Sequence, residues 1–460
     1  MSVPDSPVPA PAPRRRLPRT GRARGVAERS PLPEGTFAVG VGLLVNGVAA
    51  YVFLALGARA LGTDKWAPVA SLWSLAFVLA PGFFLPVEQE VGRALAARRT
   101  LGVGGGPLVR RAAFLGAGLA GLIAIVVLAL SPLLVDELFD GNAILVVALV
   151  VAVFSYALAH LGRGGLSGMR CFGAYGRYMA AEGLIRVGAA VVLLVVGIDA
   201  KGVWGLAIGL PALAAILFAA RGERDRLLAP GPQAPLSELS TNLGWLLAGS
   251  VFAAALVNAG PLAVNLLAAD GEKELAGRFF NCLIISRVPL FLFQAVQAAL
   301  LPKLSALAAA GQFDEFRDGF RRLLVAVVGI AVAGTIGAFL FGSFAVSVLF
   351  GEEYDLGRRN LTMLALASGI YMIAVALAQA LIALHGHARV AFGWGLGIVG
   401  LVTAIALGDD LLVRVEVGLV VGATVAAAAV AATLRSLLAR PNRLDEAGIV
   451  EALHDLPLEP

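Results

Sequence analysis

The chain contains a series of apolar runs, each roughly the ~20 residues that a helix needs to cross the ~30 Å hydrocarbon core of a bilayer. Twelve such runs lie near 36–58, 67–88, 113–135, 142–162, 178–198, 202–220, 242–268, 279–302, 323–349, 361–384, 390–408 and 417–437. A backbone in hydrocarbon must satisfy its own N–H and C=O groups, so runs of this length predict helices. Composition agrees. The chain is 59% hydrophobic and 15% charged, with a mean hydropathy of +0.85, whereas a soluble domain carries about 25% charged residues. Its 55 glycines suit close helix–helix approach. The expected fold class is an all-α polytopic membrane protein.

The loops predict an orientation. With the N-terminus on the cytoplasmic side and the spans alternating, 26 of the 36 Lys and Arg residues fall on that side and eight on the other. Arg186 and Arg287 lie within spans. A bias of this kind marks the cytoplasmic face, so both termini are expected inside a cytoplasmic membrane. The net charge of +5 is then read as loops facing anionic membrane lipids rather than as a nucleic-acid surface.

The chain also repeats loosely. ALGTDKWAPVASLW from Ala60 recurs as ADGEKELAGRFFN from Ala269, and VEQEVGRALAAR from Val87 recurs as VQAALLPKLSAL from Val296, both at an offset of 209. Two six-helix halves of like orientation imply a pseudo-two-fold axis along the membrane normal, with a site between the halves. The expected organisation is a disordered basic tail (1–35), a six-helix lobe (36–220), a linker (221–241), a second six-helix lobe (242–438) and a short tail (439–460). Phe313, Phe316 and Phe320 share helical spacing within 308–323, which predicts an amphipathic helix on the cytoplasmic interface.

Intramembrane charge points to the candidate site. Arg287 lies in the eighth span, about 12 Å in from its end, followed by Pro289, Gln294 and Gln297. A charge in hydrocarbon faces a partner, a bundle interior or a wet cavity; the alternative for Arg287 is snorkelling to the headgroups. Pro289 is a hinge candidate, because a break beside a charge frees backbone groups that need protein or water around them. Arg186 lies mid-span with Glu182 one turn earlier, a spacing that allows an i,i+4 pair; the functional reading is a second cation lining the same cavity. Asn46, Asn258 and Asn265 could line a cavity or bridge helices. Glu88 and Glu90, just before Arg93, read as an interfacial cluster.

No enzyme or metal signature emerges. GVGGGP at 102–107 has no strand before it, no Walker motif is present, and His385 and His387 lack further ligands. Cys171 and Cys282 make no disulfide framework. No catalytic residue, metal or cofactor is expected.

Three stretches carry a family resemblance: LGARALGTDKWAPVASLWSLAF at 56–77, AGRFFNCLIISRVPLFLFQAVQAALLPKLSALAAAG at 276–311, and VLFGEEYDLGRRNLTMLALASGIYMIAVALAQALIALHGHARV at 348–390. With the two six-helix halves, they resemble the multidrug/oligosaccharidyl-lipid/polysaccharide (MOP) exporter superfamily, closest to its polysaccharide-biosynthesis branch of lipid-linked oligosaccharide flippases. The resemblance implies a V-shaped, MATE-like pair of lobes with alternating access. It implies a cationic central cavity for a diphosphate-sugar head while the polyprenyl tail stays in lipid. Arg287 and Arg186 suit that role, since a guanidinium matches phosphate with a bidentate fork. Glycosyltransferases or a polymerase of the same pathway are the expected partners. The drug-exporter branch often has an acidic residue in its first helix; this chain has Asn46 there and no carboxylate. A cation-coupled multidrug exporter and a non-transporting scaffold for envelope assembly are the alternatives.

Overall fold

A computed structural model describes residues 36–235, 238–239, 243–269, 271–290, 293, 304, 307–308 and 310–439. The expected tails at 1–35 and 440–460, and Gln294 and Gln297, lie outside the described residues. Among the described residues, ten helices are long and apolar enough to cross a membrane. The first, Thr36–Thr100, is two helices in series that meet at Gly62, whose φ of 69° lies in the left-handed region glycine tolerates best. We label them α1 (36–61) and α2 (63–100). A straight helix would hold residues 53 and 73 about 30 Å apart, yet the rings of Phe53 and Trp73 stack at 5.9 Å. The chain therefore doubles back at Gly62 and crosses the layer twice.

The remaining helices are α3 (Gly106–Ala129), α4 (Ala143–Gly168), α5 (Phe172–Val196), α6 (Lys201–Ala220), α7 (Leu243–Leu267), α8 (Glu274–Ser286), α9 (Phe313–Leu349), α10 (Arg358–Ala383), α11 (His387–Ala406) and α12 (Leu411–Leu438). Their order follows the expected runs, except that most of the eighth run beyond 290 lies outside the described residues. The interfacial helix expected over 308–323 differs. From Phe313 onward its residues form the first turns of α9, with Phe316 and Phe320 buried. No proline interrupts 313–349, so the polar turn and the apolar span stay in register.

Helices α1–α6 pack together, as do α7–α12, giving two lobes. Missing side chains allow the close approaches. A Cβ on Gly176 of α5 would meet the Ala38 carbonyl oxygen of α1 at 2.3 Å, and Cβ atoms on Gly397 and Gly422 would each meet the other's carbonyl oxygen at 2.8 Å. Outward faces carry large exposed apolar side chains such as Phe114, Val195 and Phe344. Against lipid tails such faces are matched to their solvent, so packing rather than hydrophobicity holds the helices together.

The lobes meet along α1, α2, α7 and α8. At the Gly62 end, Trp66 Nε1 donates to Asn281 Oδ1 at 3.0 Å, Tyr354 Oη donates to the Ala58 carbonyl at 2.8 Å, and Arg59 Nε donates to the Leu349 carbonyl at 2.9 Å. Deeper in the layer, Asn265 Nδ2 donates to Ser71 Oγ at 2.8 Å, Tyr51 Oη to the Ile284 carbonyl at 3.1 Å, and Ser250 Oγ to the Pro81 carbonyl at 3.1 Å. Toward the other end, the segment joining the lobes lies on the first one. The buried Arg98 donates to the Pro232 and Gln233 carbonyls and forms a two-bond pair with Glu238 at 2.7 and 2.8 Å.

Candidate functional site

Helix α8 starts at the Gly62 end and stops after Ser286. Arg287 follows as its C-cap, and its amide donates to the Ile284 carbonyl at 3.1 Å, a tightened last turn. Pro289 lies two residues on. It has no N–H to continue the α-helical ladder, and it packs where a Cβ on Gly334 of α9 would sit, 2.5 Å from its ring.

Arg287 lies about 20 Å along the helix axis from Glu274. It is buried, 7% exposed, so it does not snorkel to headgroups. Its Nη1 donates to Asn258 Oδ1 at 3.2 Å, while Asn258 Nδ2 donates back to the Ala254 carbonyl of its own helix. Among the described residues, Arg287 Nε has no hydrogen-bond partner and no carboxylate pairs with this guanidinium. The guanidinium lines a cavity of ≈ 20 Å³ with Leu256, Val257, Ser368 and Tyr371. That is room for one water molecule. The Tyr51 hydroxyl of the first lobe bonds Ile284, one turn before Arg287. The second-lobe cation is thus one turn from the seam between the lobes.

Arg186 has different surroundings. It is 2% exposed and forms the i,i+4 pair with Glu182 that the spacing predicts. Its Nη2 also donates to Tyr156 Oη at 3.1 Å, and its guanidinium lies 5.6 Å from the Trp73 ring centroid. Asn46 stands nearby on α1. A Cβ on Gly183 would meet its Cα at 2.9 Å, its Nδ2 points at Met179 Sδ at 3.8 Å, and its Oδ1 is buried without a partner. Arg186 and Arg287 are each enclosed in their own lobe. Asn265 bridges lobes through Ser71 and also reaches the Leu138 carbonyl at 3.2 Å.

Glu88 departs from the interfacial reading. Glu90 and Arg93 do pair, at 2.9 Å, but Glu88 is buried at 8% exposure. Its Oε2 lies 2.7 Å from His160 Nδ1, and its Oε1 lies 3.2 Å from both Arg163 Nη2 and the Tyr175 hydroxyl. Glycine makes room, because a Cβ on Gly164 would meet the Glu88 carbonyl oxygen at 2.6 Å. His160, Arg163 and Tyr175 carry no motif spacing that pointed to this quartet. Near its rim, outside the spans, burial pushes the Cys171 thiol up to about 11, aided by the Glu223 carboxylate that accepts from it at 3.3 Å.

No family model matches the chain. The Mycobacterium tuberculosis uncharacterized protein Rv1510 is 26% identical over 427 residues, covering 90% of this chain and 94% of that protein. The Mycobacterium bovis uncharacterized protein Mb3654 is 26% identical over 393 residues, covering 84% and 88%. Among solved structures, an inward-facing multidrug resistance MATE family transporter of the MOP superfamily superposes with a TM-score of 0.67 at 15% identity, covering 88% of this chain and 99% of that one. The Vibrio cholerae MATE transporter VcmN in its bent form gives 0.61 at 16% identity, covering 89% and 98%. With its two lobes, the helix order and the superposition over nearly the whole chain, this protein has the fold of the MATE transporters of the MOP superfamily.

Proposed function

We propose that this chain exports or flips a polyprenyl-diphosphate-linked oligosaccharide across a cytoplasmic membrane by alternating access, for polysaccharide or cell-envelope assembly. One observation carries the reading: Arg287 is a buried guanidinium with no carboxylate partner among the described residues, seated at a helix break beside the seam between lobes. A charge kept at that depth without a counter-ion is costly unless it serves an anion that visits. A diphosphate suits it, because a guanidinium can bind phosphate oxygens in a fork. A cationic drug would be repelled.

The small cavity holds no diphosphate as it stands, so entry requires the α1–α8 seam to part near Tyr51 and expose Arg287. Arg186, neutralised by Glu182, serves the first lobe as a second cation once that pair opens. Asn258 holds the Arg287 guanidinium in the meantime, and Asn46, with its unpartnered Oδ1, is a further polar group for the head. Pro289 provides the hinge, and Gln294 and Gln297 are proposed to continue the polar lining. The excess of arginines on the side of both termini supports a cytoplasmic location for them. Membrane lipids would hold the polyprenyl tail, and glycosyltransferases or a polymerase of the same pathway would supply and take the glycan.

The test is complementation in a strain whose own copy is deleted. Arg287→Ala should leave the protein in the membrane, cut surface glycan at least tenfold and accumulate lipid-linked glycan on the inner leaflet; Arg287→Lys should recover only part. Normal surface glycan with Arg287→Ala would overturn the assignment of Arg287. Drug resistance conferred on a sensitised host, with unchanged glycan on deletion, would favour the multidrug alternative. Loss of glycan on trimming only the two tails would favour the scaffold.

A further inference from the structure

A second cavity, far roomier than the one at Arg287, opens beside the first turns of α9. It measures ≈ 390 Å³ and is lined, among the described residues, by Asp318, Arg321, Arg322 and Val325. This end of α9 is held in place by another arginine. Arg317 pairs with Asp314 at 2.9 Å and donates to the Leu438 carbonyl at the end of α12. Asp318, Arg321 and Arg322 do no such work. All three are exposed, and among the described residues none has a side-chain hydrogen bond or an ion pair. Asp318 precedes the two arginines by three and four residues, spacings at which side chains can meet on a helix. Here they do not pair with one another; they border the same space.

Length puts these residues at the membrane surface. Helix α9 has 37 residues, about 55 Å along its axis, well beyond the ~30 Å of hydrocarbon. Its apolar stretch begins at Leu323, so residues 313–322 account for the excess. From Arg321 one face of the helix runs through Val325, Val328, Val332, Ile336 and Phe339 in steps of three and four. These side chains are 40–66% exposed, a continuous apolar track leading away from the guanidinium. We propose that the cavity holds the head of an ethanolamine-type phospholipid, with its phosphodiester on Arg321 and Arg322, its ammonium on Asp318 and one acyl chain along the α9 track. The inference needs only the membrane setting and not the proposed cargo.

Charge chooses among the possible heads. Two guanidiniums suit one phosphodiester, whose oxygens match their planar forks. Arginines near a membrane surface also attract acidic lipids in general, so the arginines alone do not select. The carboxylate does. A glycerol head offers Asp318 only neutral hydroxyls, whereas an ammonium N–H makes a charge-assisted bond, roughly twice as strong. A choline head has no N–H to donate. A polyprenyl diphosphate brings more negative charge and no ammonium, which leaves Asp318 opposed.

The test uses the full chain in nanodiscs made from equal parts of phosphatidylethanolamine, phosphatidylglycerol and phosphatidylcholine, with native mass spectrometry to identify the lipids retained on release. The parent should keep one phosphatidylethanolamine in preference to the other two. Arg321→Gln with Arg322→Gln should cut that retention about tenfold, as the loss of charge-assisted hydrogen bonds implies; if the double variant aggregates, Arg322→Gln alone is read. Asp318→Asn should keep a phospholipid but lose the preference for ethanolamine, which a merely structural role for Asp318 would not change. Arg221→Gln with Arg224→Gln removes two exposed arginines elsewhere and should leave retention as it is; an equal loss there would mean diffuse attraction and overturn the proposal. Preferred retention of phosphatidylglycerol would overturn the ethanolamine assignment. Thermal stabilisation by inorganic phosphate alone, lost in the double arginine variant, would mark a soluble-anion site and overturn the lipid. Displacement of phosphatidylethanolamine by polyprenyl diphosphate would make the cavity a vestibule for the cargo and overturn it too.

Discussion

Arg186 and Arg287 are the two arginines inside the apolar runs of the sequence, and their environments set what each can do. Arg186 has an ionic partner, a hydroxyl and an aromatic ring, so removing one partner leaves a charge stranded in a 2%-exposed position. Glu182→Ala should destabilise the protein by about 3–5 kcal/mol, the usual cost of breaking a buried pair, while Glu182→Ala combined with Arg186→Met should restore most of the loss. Thermal unfolding in detergent, followed by size-exclusion chromatography, checks both. The Glu182–Arg186 pair was legible in the sequence because a four-residue spacing fixes neighbours on a helix. The Glu88 quartet was not, because its partners are 72 and 87 residues away and only the packing of α2 on α4 and α5 brings them together. Arg287 was legible as an oddity. Helix α8 starts at Glu274, several residues before the apolar run.

At the scale of helices, two breaks do most of the positioning. Gly62 folds α1 against α2, and the turn at Arg287 interrupts the helical path between Ser286 and the helical residues 288–290. Hydropathy found the first as a gap between two runs, and the second only through its proline, since the apolar run continues past it. The interfacial segment at 308–323 was misread for a related reason: a change of polarity along a chain does not end a helix when nothing interrupts its hydrogen bonds. Packing between helices depends on absent side chains. Gly176→Leu should force α1 from α5 and lower stability by about 1–3 kcal/mol, as overpacking does. The control, Gly188→Ala, adds a methyl where nothing lies within 4 Å and should be neutral or slightly stabilising. The same melts distinguish them; equal stability for the two variants would count against the close α1–α5 approach.

For the whole molecule, the loose 209-residue repeat foreshadowed two lobes, but no sequence signal showed where they touch. Trp66–Asn281 and Ser71–Asn265 join residues about two hundred positions apart. If the lobes part during a cycle, tying them together should stop it. In a background of Cys171→Ser and Cys282→Ser, the pair Ser71→Cys and Asn265→Cys should be bridged by a short thiol-reactive linker, and bridging should abolish the proposed glycan export. A cleavable linker, once cut, should restore it. Undiminished export by the bridged protein would show that this contact stays shut throughout.

The seam has one chemical habit with a mechanical consequence. Tyr51, Arg59, Ser250 and Tyr354 all donate across it to main-chain carbonyls rather than to side chains. At least one of these, the Ile284 oxygen, already accepts from the Arg287 amide, so the bond across the seam uses its spare lone pair. When such a joint releases, that oxygen is not orphaned, and a hydroxyl donor can turn to the water that enters. A hook of this sort holds two rigid bodies in register yet lets go at small cost.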